Sequence, residues 1–210
     1  MSTMSARSVQ PRYPAGPTAA DLPIAEHSND SLILRLHMTV NHLSRWISPV
    51  TEMTPLIHTV RRGERSVMEL LQLMRDEELL VFAYLHAIAN NINPDLDRIP
   101  DPRKSPERQI EGFDRSPMTV IAEFRRLRQS TCSLLRGLPD SAWSRVGTSR
   151  IEHDWQVRSL AERIAHHDID CLYAIDLALD RSGARERINS AARVHLDELF
   201  RLVPVRPKSK

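Results

Sequence analysis

Four stretches of the chain repeat apolar residues every three to four positions, the pattern of helices that bury one face. The first carries Ile33, Leu36, His37, Val40, Leu43, Ile47 and Val50, with Asn29 or Asp30 placed to cap it and Pro49 marking its end. The second opens on Ser66 and Glu69. At that spacing each side chain can take up the other residue's free backbone N–H. Its stripe continues through Val67, Leu70, Leu71, Met74, Glu78, Val81, Phe82, Leu85, Ala89 and Ile92. The third starts at Ser116-Pro117, a cap followed by the residue best suited to a first helical position. It runs through Ile121, Phe124, Leu127, Thr131, Leu134 and Leu135, with Gly137 and Pro139 to stop it. The fourth spans about Gln156 to Arg181 and halts at Gly183, with Leu160, Ile164, His167, Cys171 and Ile175 in its row.

Between the second and third segments lie Pro94, Pro100, Pro102 and Pro106. That stretch is a long crossover. A fifth amphipathic stretch, residues 184–203, carries Ile188, Ala192, Leu196, Leu199 and Phe200. Almost nothing reads as strand. The pattern predicts an all-α four-helix bundle with a long crossover between its second and third helices and an additional C-terminal helix. Residues 1–28, rich in Pro, Ser and Ala and without apolar period, read as a disordered arm. The bundle then occupies 29–183, the additional helix 184–203, and a basic tail 204–210.

Composition narrows the function. Lys and Arg number 29 against 27 Asp and Glu, leaving +2, which speaks against a broad nucleic-acid surface. The run Arg125-Arg126-Leu127-Arg128 is expected to be a solvated helix face with acidic counterparts nearby. The longest apolar run, Leu79 to Leu85, is far too short to span a bilayer. No secretory pattern precedes the bundle, so the expected location is the cytoplasm. Two cysteines, Cys132 and Cys171, exclude a disulfide-built scaffold. Gly-rich phosphate loops, CxxC, HExxH and GxSxG are all absent.

The candidate chemistry lies in polar residues on inward rows. His167 and Cys171 stand four apart, so imidazole and thiolate are neighbours on one helix face and can reach one metal ion. Equally, they can be core filling. Glu78 interrupts the second helix between Met74 and Phe82. A carboxylate there must be neutral, paired with a cation such as Arg128, or bound to a metal. His37 also falls on an inward row, with a structural role expected. His166 cannot share a site with His167, because adjacent helical residues point about 100° apart.

Three segments resemble the DinB/YfiT-like superfamily of four-helix bundles. They are Gly63-Glu64-Arg65-Ser66-Val67 with Glu69 through Glu78; Phe124, Arg128 and Leu135 with Leu138-Pro139, Trp143 and Arg145; and Leu160, Ile164-Ala165 and His167-Asp168. The resemblance implies a divalent metal, commonly nickel or zinc, held by one histidine of the second helix and two, four apart, of the fourth. It also implies thiol-linked transferase or isomerase chemistry, or hydrolysis, in the members that are enzymes, and frequent homodimers. Against that pattern, the second-helix histidine falls on Leu73, the second histidine of the fourth helix on Cys171, and the usual Trp on Arg65. Only His167 is unchanged. Leucine has no donor, so a third ligand would have to come from Glu78 or Glu77.

The sequence thus leads to a DinB-like protein with a degraded metal site. It would act as a small-ligand binding or interaction module, with a small-molecule or thiol ligand and no nucleic-acid or membrane partner. The alternative is a metal-dependent S-transferase, isomerase or hydrolase with a rewired site of His167, Cys171 and Glu78. The cofactor is accordingly none, or zinc or nickel. The unpartnered face of the fifth helix points to a homodimer.

Overall fold

The computed structural model describes residues 14, 16–59, 61–105, 116–186, 188 and 193–208. Four long helices dominate: α1 (Asn29–Ile47), α3 (Val67–Asn90), α4 (Pro117–Gly137) and α5 (Val157–Arg181). Two short helices join them, α2 (Thr54–Ile57) and α6 (Leu196–Arg201). Each of α1 and α3 packs along both α4 and α5. The bundle is therefore a square with α1 and α3 on one diagonal, α4 and α5 on the other.

The caps explain the boundaries. Ser66 Oγ accepts from Glu69 N (3.2 Å) while Ser66 N donates to the Glu69 carboxylate (2.6 Å), closing the box that starts α3. Ser116 Oγ accepts from Thr119 N ahead of Pro117 and starts α4. At α1 the cap is Ser28, accepting from Ser31 N, one residue ahead of the expected Asn29 or Asp30. Gly183, at φ +68°, takes the left-handed conformation that ends α5 at little steric cost.

The crossover after α3 is pinned rather than loose where it is described. Two 3-10 turns, Leu96–Arg98 and Pro102–Lys104, are capped by Asp95 and Asp101. Leu96 N donates to Thr148 O and Thr148 N to Pro94 O, both at 2.8 Å. This ties the crossover to the hairpin of β1 (Val146–Gly147) and β2 (Trp155–Gln156) that leads into α5. Gly147 is required there: a Cβ would sit 2.8 Å from Leu96 Cδ2 and 2.9 Å from Ile88 Cγ1. Residues 106–115 of the predicted crossover lie outside the described residues.

Two expectations need correcting. Residues 16–28 are not a free arm, and 204–208 are not a loose tail. They are zipped together: Ala19 N donates to Val203 O, Val205 N to Pro17 O, Ser28 N to Arg206 O and Lys208 N to Glu26 O. Buried Arg35 and Arg158 then hold the strap from beneath, through Ala19 O (3.1 Å) and His27 O (2.7 Å). Proline-rich segments carry no periodic signal, so only these long-range partners order them. Residues 1–13 and 15 of the predicted arm lie outside the described residues.

The continuous helix over 184–203 is not formed either. His195 is extended and the helix begins only at Leu196. Side-chain partners divert the backbone. Arg185 pairs with Asp176 and Asp180, Trp46 Nε1 takes up Val194 O (2.8 Å), and Asp176 accepts from Leu196 N (3.0 Å). Residues 187 and 189–192 lie outside the described residues. Leu196, Leu199, Phe200 and Val203 are buried within the chain itself. Among the described residues no helix is long and apolar enough to cross a membrane.

Candidate functional site

The apolar core is in two parts. One gathers Val40–Ile47 side chains of α1 with Leu71, Met74, Phe124, Ile175 and the terminal segment. The other gathers Leu32, Leu36, Leu85, Ile88, Leu135 and Leu160 with Trp143. Between them every long helix contributes one buried polar residue at the same level: Thr39, Glu78, Arg128 and Asp168. Arg128 Nε donates to Glu78 Oε2 (3.0 Å), its Nη1 to Asp168 Oδ2 (2.6 Å) and Leu36 O (2.8 Å), and its Nη2 to Asp168 Oδ1 (2.9 Å). Thr39 Oγ1 donates to Asp168 Oδ2 (2.8 Å). The Phe124 ring lies 4.8 Å from the guanidinium carbon. Burial alone works against the charge on Arg128, but Asp168 and Glu78 outweigh it and hold the group more basic than an ordinary arginine. Glu78 Oε1, buried, has no hydrogen-bond partner.

This layer settles the place of Glu78. Its partner is Arg128, the cation anticipated for it. It does not join His167 and Cys171, so the proposed trio of His167, Cys171 and Glu78 is not assembled. Sequence reading missed Asp168 and Thr39. The signal available was a polar residue within each apolar row, and on α5 the reading fell on His167 and Cys171 instead.

His167 and Cys171 do meet. Cys171 Sγ lies 3.8 Å from Nε2 and 4.0 Å from Nδ1 of His167. Two ligands of one tetrahedral zinc ion would stand about 3.6 Å apart, from usual bond lengths. The pair is thus close enough to share an ion. His167 is half-buried and Cys171 buried, while His166 is exposed. Burial, reinforced by the charges of Asp168 and Asp170, pushes the Cys171 thiol up to about 12. His37 is exposed, not inward as its position in the row predicted. α1 presents Thr39 and Val40 to the interior at that level instead.

The opposite wall of this corner belongs to α3. The ion pairs Glu77–Arg163 (2.5 Å) and Glu64–Arg181 set α3 and α5 antiparallel. In that register Leu73 stands level with the His167–Cys171 turn. It packs against the core cluster that contains Cys171. Glu77, the other carboxylate within reach by sequence, is held by Arg163, which also contacts Glu152 (3.3 Å) and lies over the Trp155 ring (5.0 Å). Among the described residues no three His, Cys, Asp or Glu side chains come together as a metal-holding group.

With this geometry in place, comparison with solved structures becomes informative. A solved structure of YfiT from Bacillus subtilis superposes with a TM-score of 0.61 at 15% identity, covering 74% of this chain and 87% of that one. The fold is that of YfiT. YfiT is described as a probable metal-dependent hydrolase with an unusual four-helix bundle topology. No family model and no curated protein matches the chain. On the YfiT-type bundle seen here, the residues at the α3–α5 corner supply two donors, one imidazole and one thiol, and a leucine. Zinc sites normally take at least three protein ligands. The donor set does not fit a three-histidine metal centre.

Proposed function

We propose that this chain is a small-ligand binding module on a YfiT-type bundle whose metal corner has lost its ligand set. The observation that carries the reading is Leu73, an apolar side chain level with His167 and Cys171 where a third donor would be needed. Two further features support it. The two α3 carboxylates considered as a third ligand are committed to arginines, Glu77 to Arg163 and Glu78 to Arg128. The residues around the corner are the packing residues of the main core, so the position contributes to stability instead.

The test is elemental analysis of protein purified without chelator, then titration with zinc and nickel. The expected result is well under one equivalent of metal, unchanged in His167→Ala. Stoichiometric zinc or nickel that disappears in both His167→Ala and Cys171→Ser would overturn this reading in favour of a rewired metal-dependent enzyme.

A further inference from the structure

On the side of the bundle opposite the α3–α5 corner, α1 and α4 border a groove of about 770 Å³. That lies within the range of small-molecule sites, roughly 300–1,000 Å³. Its rim is Arg45 and His37 from α1, Arg125 and Arg136 from α4, all four exposed. Among the described residues no carboxylate lines it. The expectation that the Arg125–Arg128 run would find acidic counterparts holds for Arg128 alone among the described residues. Arg75, Arg103, Arg163 and Arg181 sit in ion pairs. Along this groove Arg45, Arg125 and Arg136 have no such partner among the described residues.

The remaining lining is built for an anion. Asn41, Gln129 and Ser133 add amide and hydroxyl donors. Arg125 Nη2 donates to Ser44 Oγ across the seam (2.7 Å), which holds one guanidinium in place before any ligand arrives. Arg128 forms part of the floor, fixed by the buried layer, beside Val40 and Cys132. Guanidinium groups match phosphate oxygens in pairs, with charge-assisted bonds about twice as strong as neutral ones. From Arg125 to Arg136 the helix rises about 16 Å. That length favours charge spread along a ligand over a single phosphate group.

We infer that the α1–α4 groove is a binding site for a small polyphosphorylated molecule. The inference deepens the binding-module reading by giving it a site and a ligand class. It draws on different residues from the metal corner, so the metal analysis and the experiment below can fail independently.

The experiment is calorimetric titration of the full chain with inorganic phosphate, pyrophosphate and tripolyphosphate at about 0.15 M salt, where long-range attraction between exposed charges is largely screened. The expected result is saturable one-to-one binding, strongest for tripolyphosphate. Arg125→Gln with Arg136→Gln weakens it at least about tenfold at an unchanged melting temperature. Arg61→Gln with Arg62→Gln removes the same charge elsewhere and changes it by less than about twofold. Absence of saturable binding up to about 1 mM, or equal losses in the two double variants, would overturn the assignment. A single-stranded oligonucleotide that binds more tightly than tripolyphosphate, and more tightly with length, would overturn it too, in favour of a nucleic-acid surface.

Discussion

Replacing Arg128 by methionine keeps the bulk of the side chain and removes its charge. Glu78, fully buried, then loses its one hydrogen-bonding partner, because its second oxygen has none already. Asp168 keeps only Thr39, and Leu36 O loses its donor. Breaking a buried ion pair from one side costs about 3–5 kcal/mol. The whole fold is worth about 5–15 kcal/mol. For a chain of this size each kcal/mol moves the melting temperature by about 2–4 °C, so the variant should melt about 6–20 °C lower. Urea and thermal unfolding followed by circular dichroism at pH 7 measure this directly. A companion variant, Arg128→Met with Glu78→Leu and Asp168→Leu, converts the layer to apolar packing. It should recover most of the loss, since buried ion pairs seldom outperform well-packed apolar replacements. If Arg128→Met costs less than about 1 kcal/mol, or the triple variant is no better than the single, the loss does not come from leaving Glu78 and Asp168 unpaired in the interior.

Three other outcomes follow from the structure. Cys132 and Cys171 are buried, with their thiols pushed up to about 11 and about 12 by burial, so a disulfide reagent at pH 8 should leave both unmodified in the native protein and modify both in urea; rapid native labelling of Cys171 would contradict its packing. Burial, aided by Arg45 and Arg35, lowers His42 to about 4 from 6.5. The unfolded chain therefore takes up a proton that the folded chain refuses; stability is full above about pH 6.5, falls by about 3 kcal/mol as pH drops to about 4, and levels off below. His42→Leu should flatten part of that slope, the remainder including buried His27, which shifts in the same direction; an unchanged slope counts against it. Arg158→Met removes the donors to Ile24 O and His27 O and should expose the segment near residue 24 to limited proteolysis while the four helices keep their circular dichroism; a digestion pattern like the native one would mean the strap is held by the tail alone.

The long helices were legible because their signals are local. Ser66 with Glu69, Ser116 with Pro117 and Gly183 act within one turn of the backbone, and α3, α4 and α5 begin and end where those residues place them. The strap was not legible, since the partners of Ala19 and Ser28 are Val203 and Arg206, at the far end of the chain. The start of α6 was placed too early for a related reason: an amphipathic spacing at 184–203 says which side chains are buried but not that Asp176 and Trp46 will claim the backbone there. The candidate site divided the same way. The adjacency of His167 and Cys171 is a property of one helix and could be read. Which carboxylate faces which cation is a property of four helices packed together, and of the possible partners of Glu78 only Arg128 could be named in advance.

The strap has a consequence for how the molecule is made. Thr18 bridges to Pro204 and His27 to Pro207, so the segment around Thr18 and His27 has no seat until those distant partners have left the ribosome. At bacterial-to-eukaryotic elongation speeds that wait is roughly ten to forty seconds, during which Ala19 and Ile24 stay uncovered. The four long helices can assemble meanwhile, and the clasp closes over them afterwards.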